Sequence, residues 1–336
     1  MNTSAHDKPR NYIVITSIYP PTEAVKCFAE RKDWQLVVAG DTKTPGDWQY
    51  PGVVYLSPDD QRQMNLPLVD GLPWKSYARK MAGYAYAIRN GAQLIADTDD
   101  DNIPYEDWAQ QIEFSNRFDM LQCPGFVNLY QYFTKEHVWP RGFPLNRILD
   151  RTMPDAQPAD NSTAHNIGIW QFLADEDPDV DAIYRLTNNK TVYFQKRAPL
   201  VLLPGTCSPF NSQNTFFRRE TFPLLYLPAF VNFRFTDILR GLVAQPILWA
   251  AGYRLGFGHA TVIQKRNPHD YLNDFESEIP CYLYPEHIVD LVSNVVSPEQ
   301  TISVNMVAAY TALHQDNIVT ENELRLLNSW LELFNK

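Results

Sequence analysis

The stretch Leu94-Ile95-Ala96-Asp97-Thr98-Asp99-Asp100-Asp101-Asn102 decides how this chain is read. A short apolar run, of strand length, passes directly into four carboxylates within five residues. In open α/β sheets ligands sit beyond the carboxyl ends of the strands. Carboxylates this crowded repel one another, and their pKa values rise unless a cation neutralises them. Oxygen donors suit Mg²⁺ or Mn²⁺, and such an ion can bridge to a diphosphate. The chemistry that fits is departure of a nucleoside diphosphate from a sugar, with the metal stabilising the leaving charge.

Other readings of the run compete. A solvated acidic turn is one, although a buried strand seldom ends in so much unneutralised charge. An EF-hand loop needs Gly at its sixth position and Glu at its twelfth; Asn102 and Trp108 stand there, which discards it. A haloacid-dehalogenase-type phosphatase also places Asp-x-Asp after a strand, usually near the N-terminus and continuing to Thr or Val, whereas Asp101 follows here.

Upstream of the run, strands and helices alternate. Tyr12–Ile18, Gln35–Ala39, Gly52–Leu56 and Gln93–Ala96 read as strands. Thr22 caps a helix through about Arg31, and Trp74–Asn90 reads as a helix stopped by Gly91. Pro104 is expected to open another helix, through about Arg117. This order predicts an α/β fold with a mostly parallel sheet and helices on both faces. The middle, about 124–220, has little periodicity apart from a strand expected at Ala198–Leu203. Phe233–Gly252 reads as a helix and Arg254–Ile263 as a strand. Pro285–Val296, Pro298–His314 and Thr320–Phe334 read as amphipathic helices, the last with a capping box between Thr320 and Glu323.

Composition narrows the function classes. The 336 residues carry 29 Lys plus Arg against 39 Asp plus Glu, a formal net charge of −10, which argues against a nucleic-acid partner. Charged residues are 20% and aromatics 13%, which argues against extended disorder. Cys27, Cys123, Cys207 and Cys281 are too scattered for a zinc or redox spacing and read as reduced thiols. Met1–Arg10 is polar, and no apolar run reaches the ~18 residues of a membrane span, so no transmembrane segment and a cytoplasmic location are expected. The sequon Asn161-Ser162-Thr163 carries little weight without a secretory signal.

Asp99-Asp100-Asp101 resembles the D-x-D motif of GT-A glycosyltransferases, and the surroundings resemble one branch of them. Val37-Val38-Ala39-Gly40-Asp41-Thr42-Lys43-Thr44-Pro45, Tyr77–Tyr84, the acidic run, Trp139-Pro140-Arg141-Gly142-Phe143-Pro144-Leu145, and Pro209–Thr215 with Phe235–Arg240 are similar to the STELLO glycosyltransferase-like family. Its relatives include the reversibly glycosylated polypeptides and UDP-arabinopyranose mutases. The resemblance implies a GT-A-like domain over 1–284 with a C-terminal helical extension over 285–336. It implies a nucleotide sugar donor, most simply a UDP-sugar, an acceptor of unknown kind, and Mn²⁺ or Mg²⁺ as cofactor.

Site residues follow from the same resemblance. Asp99 and Asp101 would hold the metal and ribose, with Asp100 supporting the loop. Asp41 would contact the nucleobase or ribose, and Arg79 and Lys80 the diphosphate; a turn aspartate and a solvated helix face are the plainer readings. Arg141 matches the arginine that carries sugar in the reversibly glycosylated relatives, and a stiff loop would equally present it to phosphate. Trp170 could stack on a sugar or simply fill the core. Asn211, Gln213 and Asn214 could read sugar hydroxyls or form turns. Asp237 would be the general base that deprotonates the acceptor, giving inversion, or merely a helix-start acid. Gln264 stands near the place of a late metal-binding His, for which His259 or His269 could substitute; His259 is the expected third ligand. A nucleotide-sugar mutase and a non-catalytic GT-A scaffold are the alternatives to transfer.

Overall fold

The computed structural model describes residues 10–158, 165–266 and 269–335, so the Asn161-Ser162-Thr163 sequon and the start of the chain lie outside the described residues. The chain opens with β1 (Asn11–Ser17), α1 (Glu23–Ala29), β2 (Trp34–Gly40), β3 (Val54–Leu56), α2 (Pro58–Gln63), α3 (Pro67–Gly71), α4 (Lys80–Arg89), β4 (Leu94–Thr98) and β5 (Asn102–Pro104). It continues through β6 (Ser115–Asn116), β7 (Asp119–Leu121), β8 (Gly125–Phe126), α5 (Tyr130–Phe133), β9 (His165–Asp175), α6 (Ala182–Thr187), β10 (Leu200–Leu202), β11 (Thr206–Cys207) and β12 (Asn214–Arg218). It ends with α7 (Thr236–Ala250), β13 (Arg254–Gln264), α8 (Tyr271–Leu283), α9 (Pro285–Ser293), α10 (Ile302–Gln315) and α11 (Glu321–Leu331).

The main sheet runs β3-β2-β1-β4-β12-β9-β13-β10-β7, with β5 paired to β13 and β6 to β9. Strands β3, β2, β1 and β4 are mutually parallel, as the alternation of strands and helices predicts. Strand β12 lies antiparallel between β4 and β9, and β13 is parallel to β9. The result is an α/β fold of GT-A-like, Rossmann type, mixed in its second half.

Both faces of the sheet are covered, which is why β1 reads as an unbroken apolar run. Its residues alternate between two cores: Ile13 and Ile15 pack with Val25 and Phe28 of α1, while Tyr12 and Val14 pack with Met81 and Ala82 of α4. Helix α4 lies close to the sheet because Gly83 has no side chain; a Cβ there would stand 2.6 Å from Val14 Cγ1. In β13, Gly256 and Gly258 leave room for the rings of Trp170 and Phe172 on neighbouring β9.

Several local expectations change. The segment after Pro104 is not a helix. Asn102–Pro104 pairs with Val262–Gln264 as a short antiparallel strand. The chain beyond that strand is pinned by Trp108, whose ring sits 5.1 Å from that of Phe28 and 5.3 Å from that of Phe216. The Trp74–Asn90 helix begins later, with a 3₁₀ turn at Tyr77–Arg79 capped by Ser76. Helix α8, interrupted by Pro280, was not legible as a helix. The Thr320–Glu323 capping box is absent: Thr320 makes no side-chain cap. Glu323 instead turns inward, where it accepts the backbone N–H of Ala229 at 3.0 Å and of Phe230 at 2.9 Å, and the Tyr226 hydroxyl. Those bonds, with Trp330 donating to the Pro223 carbonyl at 2.8 Å, fasten the last helix to the same core that holds Met81 and Tyr84.

Replacing Gly256 by Ala puts a methyl group against the Trp170 indole. Overpacking of this kind costs about 1–3 kcal/mol. The urea midpoint of Gly256→Ala is therefore expected to fall with an unchanged m-value.

Candidate active site

A cleft of about 360 Å³ opens at the carboxyl ends of the parallel strands, a volume and position usual for a ligand site. Its walls come from the end of β1 (Ser17 to Tyr19), the end of β2 (Asp41, Lys43), the loop before α4 (Lys75 to Tyr77), the tip after β4 (Asp99 to Asp101), and Asp237 at the start of α7. Arg141, Asp179, Gln213, Arg234, Gln264, Arg266 and His269 close it.

Buried charges support the tip from below. Lys80 reaches Asp97 Oδ1 at 2.7 Å and Asp99 Oδ1 at 2.9 Å. Arg240 takes the other oxygen of Asp97 at 2.7 Å. Burial pushes the Asp97 carboxyl up, but Lys80 and Arg240 outweigh it and hold it below its ordinary value. Higher on the tip the balance reverses. Burial, with Asp99 nearby, pushes Asp100 up to about 6 despite a hydrogen bond from Ser17. Burial and the Asp99 charge push Asp101 up to about 7. Asp101 Oδ2 accepts from Gln264 Nε2 at 3.0 Å, while its Oδ1 is buried without a hydrogen-bond partner among the described residues.

Asp41 shapes the opposite wall. Its Oδ1 accepts the Thr42 N–H at 2.5 Å, and its Oδ2 accepts those of Lys75 at 2.7 Å and Ser76 at 3.3 Å. The bonds fasten the end of β2 to the loop carrying Lys75, which sits at φ +58°. Lys43 and Lys75 are exposed on this wall, and neither ammonium has a hydrogen-bond or ion-pair partner among the described residues.

The far end is a clamp around Arg141. Its Nε and Nη2 meet Asp179 at 2.9 and 2.8 Å, Nη2 lies 3.1 Å from both oxygens of Asp237, and Nη1 donates to the Arg234 carbonyl. Burial disfavours the guanidinium, yet Asp179 and Asp237 hold its pKa well above the ordinary value. Gly142 follows at φ +83°, where a Cβ would stand 2.5 Å from Ile238 Cγ2, so the loop can lie on α7 only with glycine there. Asp237 also accepts the Ser212 N–H at 3.2 Å.

Other expected residues stand elsewhere. Arg79 is fully buried and faces away from the cleft, donating to Gln61 Oε1 at 2.9 Å and to the carbonyls of Val69 and Leu72 at 2.9 and 3.1 Å. Trp170 is completely buried, donates to the Glu113 carbonyl at 2.9 Å and packs on Phe118, with no face left for a sugar. Asn214 is a buried cross-brace that accepts from Trp108 Nε1 at 3.1 Å and donates to Thr261 Oγ1 at 2.9 Å. Asn211 lies behind the clamp, donating to Asp179 Oδ2 at 2.8 Å. His259 is 3% exposed, sits against the Arg197 carbonyl and does not line the cleft; His269 does line it, with Nδ1 3.0 Å from Asp274. Sequence reasoning missed Asp179, Arg240, Lys43, Lys75 and Arg266.

Among the described residues no three His, Cys, Asp or Glu side chains converge as a ready metal cage. The donors present are Asp99, whose Oδ2 has no partner among the described residues, and Asp101, whose Oδ1 likewise has none. Mg²⁺ and ions like it are commonly held by one or two carboxylates, with water and phosphate oxygens completing the shell. The tip fits an ion of that kind.

Arg79→Met removes the donors from Gln61 and two buried carbonyls, at a cost of about 3 kcal/mol for acceptors left unsatisfied. Urea unfolding is expected to show that loss, whereas a solvated arginine would show almost none.

A sequence model of the STELLO glycosyltransferases matches residues 234–336. "Probable glycosyltransferase STELLO2" of Arabidopsis thaliana is 32% identical over 264 residues, an alignment covering 73% of this chain and 34% of the relative. "Probable glycosyltransferase STELLO1" of the same plant is 27% identical over 347 residues, covering 98% of this chain and 44% of the relative. The chain thus spans less than half the length of these relatives. Among the described residues no helix is long and apolar enough to cross a membrane. With the sheet order and the acidic tip in the place the sequence assigned, these matches establish that the chain belongs to the STELLO glycosyltransferase family.

Proposed function

We propose that this chain is a metal-dependent, inverting glycosyltransferase that takes the sugar from a nucleotide sugar, UDP-linked in the simplest case, and passes it to an acceptor hydroxyl. One observation carries the reading: a carboxylate tip, two of whose aspartates have no ion pair among the described residues, shares a cleft with two lysines that have no partner among those residues and with an ion-paired aspartate. The names of the relatives support the same class of reaction.

Each residue then has a physical task. Asp99 and Asp101 would hold Mn²⁺ or Mg²⁺, which when bound stabilises the charge developing on the leaving diphosphate. Lys43 and Lys75 add positive charge on the phosphate side, where Arg79 cannot reach. Asp41 keeps Lys75 in place through the two backbone amides it accepts. Asp237 takes the proton of the acceptor hydroxyl as general base, and Arg141 fixes its orientation. Every nitrogen of Arg141 is already hydrogen-bonded, which favours a positioning role over a sugar-carrying one and so favours transfer over mutase chemistry.

Calorimetric titration with UDP, with and without Mn²⁺, tests the donor half. Wild-type protein is expected to bind UDP only with the metal. Asp101→Asn is expected to lose the metal-dependent UDP binding, and Lys75→Ala to weaken it by roughly fivefold, the scale of one exposed ion pair. Asp237→Asn should keep UDP binding while turnover falls by about 10²–10⁴. Metal-independent or absent UDP binding by the folded protein would sink the reading and leave a GT-A-shaped scaffold.

A further inference from the structure

A second cavity, of about 380 Å³, adjoins the cleft and shares Gln264 and Arg266 with it. Its wall carries four cations, Arg185, Lys190, Lys265 and Arg266, against two carboxylates, Glu176 and Asp177. This excess stands out in a chain of net charge −10. The carboxylates are already used: Glu176 pairs with Lys265 at 2.5 Å, and Asp177 pairs with Arg266 at 2.5 Å and with Arg185. Lys190 is exposed and has no partner for its ammonium among the described residues.

The two guanidinium groups, Arg185 and Arg266, converge on the single carboxylate of Asp177. Arg185 is 7% exposed, and its Nε has no acceptor among the described residues. Guanidinium groups crowded together favour an oxyanion between them. Burial and the neighbouring Arg266 both act to lower the Arg185 pKa, as expected where one carboxylate serves two guanidinium groups.

We propose that this cavity is the acceptor subsite and that it selects an acceptor bearing an oxyanion, a carboxylate or a phosphate. The proposal rests on the transfer reading above, because it is the shared wall at Arg266 that joins the cavity to the cleft containing Asp237. The donor diphosphate has its own place at the acidic tip, so a second anionic group needs a second cationic surface, and this one is continuous with the first.

The test is titration of the full chain with glucuronate, glucose 6-phosphate and glucose, first alone and then with UDP and Mn²⁺ at saturation. At least one of the two anionic sugars is expected to bind roughly tenfold more tightly than glucose, with affinity falling as salt rises. The tighter of the two identifies the group, and either order supports the proposal. UDP with Mn²⁺ should leave that affinity unchanged, since donor and acceptor must be bound together. Lys190→Glu, at an exposed position that folding does not need, should weaken the anion by roughly fivefold or more and leave UDP binding intact. Equal binding of glucose and both anions, displacement of the anion by UDP, or an unaffected Lys190→Glu protein would overturn it. Failure of the donor reading looks different: the UDP titration is silent while the preference for anions persists.

Discussion

The Asp97 carboxylate, fully buried between Lys80 and Arg240, is the interaction on which the arrangement depends. A lone buried carboxylate costs several kcal/mol in desolvation, and removing one member of such a set leaves the others uncompensated at about 3–5 kcal/mol. The three residues come from three elements: β4, the first residue of α4, and α7. Their pairing therefore joins the parallel half of the sheet to the helix that carries Asp237. Lys80 also reaches Asp99, so two cations balance two carboxylates, while Asp100 and Asp101 have no ion pair among the described residues and their pKa values rise. Arg240 extends the same effect to the other end of the cleft. It holds the Asn211 carbonyl at 2.9 Å and Ser212 Oγ at 3.0 Å, and Ser212 presents its N–H to Asp237.

What the sequence made legible was whatever local pattern decides. The strand that ends in aspartates, the parallel order of the first four strands and the length of α7 all come from periodicity and turn residues. So does the place of the acidic tip, because charge at the end of an apolar strand has nowhere to go but the sheet's edge. Side-chain direction is not local in this way. Arg79 and Lys80 are adjacent in sequence, and both are buried cations. Lys80 turns toward the tip, while Arg79 turns to Gln61 and the carbonyls of Val69 and Leu72. Nothing in the sequence around them separates these roles.

Trp170 and Asn214 are ambiguous in the sequence for a related reason. A tryptophan or an asparagine in an aromatic, loop-rich stretch has the same composition around it whether it faces a ligand or a neighbouring strand. The glycines at 256 and 258, which make room for the rings of β9, carried the missing signal, but only once β9 and β13 are known to be neighbours. Pro104 misled in the opposite direction. Proline opens helices at their first turn, yet it is equally suited to the end of a short edge strand, and the aromatic anchor at Trp108 decided between the two.

The cleft divides into parts that are held and parts that are free, and that division bears on how it could work. Asp99, Asp179, Arg141 and Asp237 each have two or more charged or hydrogen-bonded contacts. They need little reordering to meet a reacting centre, which is the condition under which fixed dipoles and charges lower a barrier most. Lys43 and Lys75 are the opposite case, exposed and without a partner among the described residues, and ordering such long side chains on a ligand costs conformational entropy. In the proposed reaction the phosphates must be both gripped and released in each cycle, whereas the base must point the same way every time. Exposed cations on the leaving-group side and a locked arginine behind Asp237 meet those two demands, and reversing the assignment would meet neither.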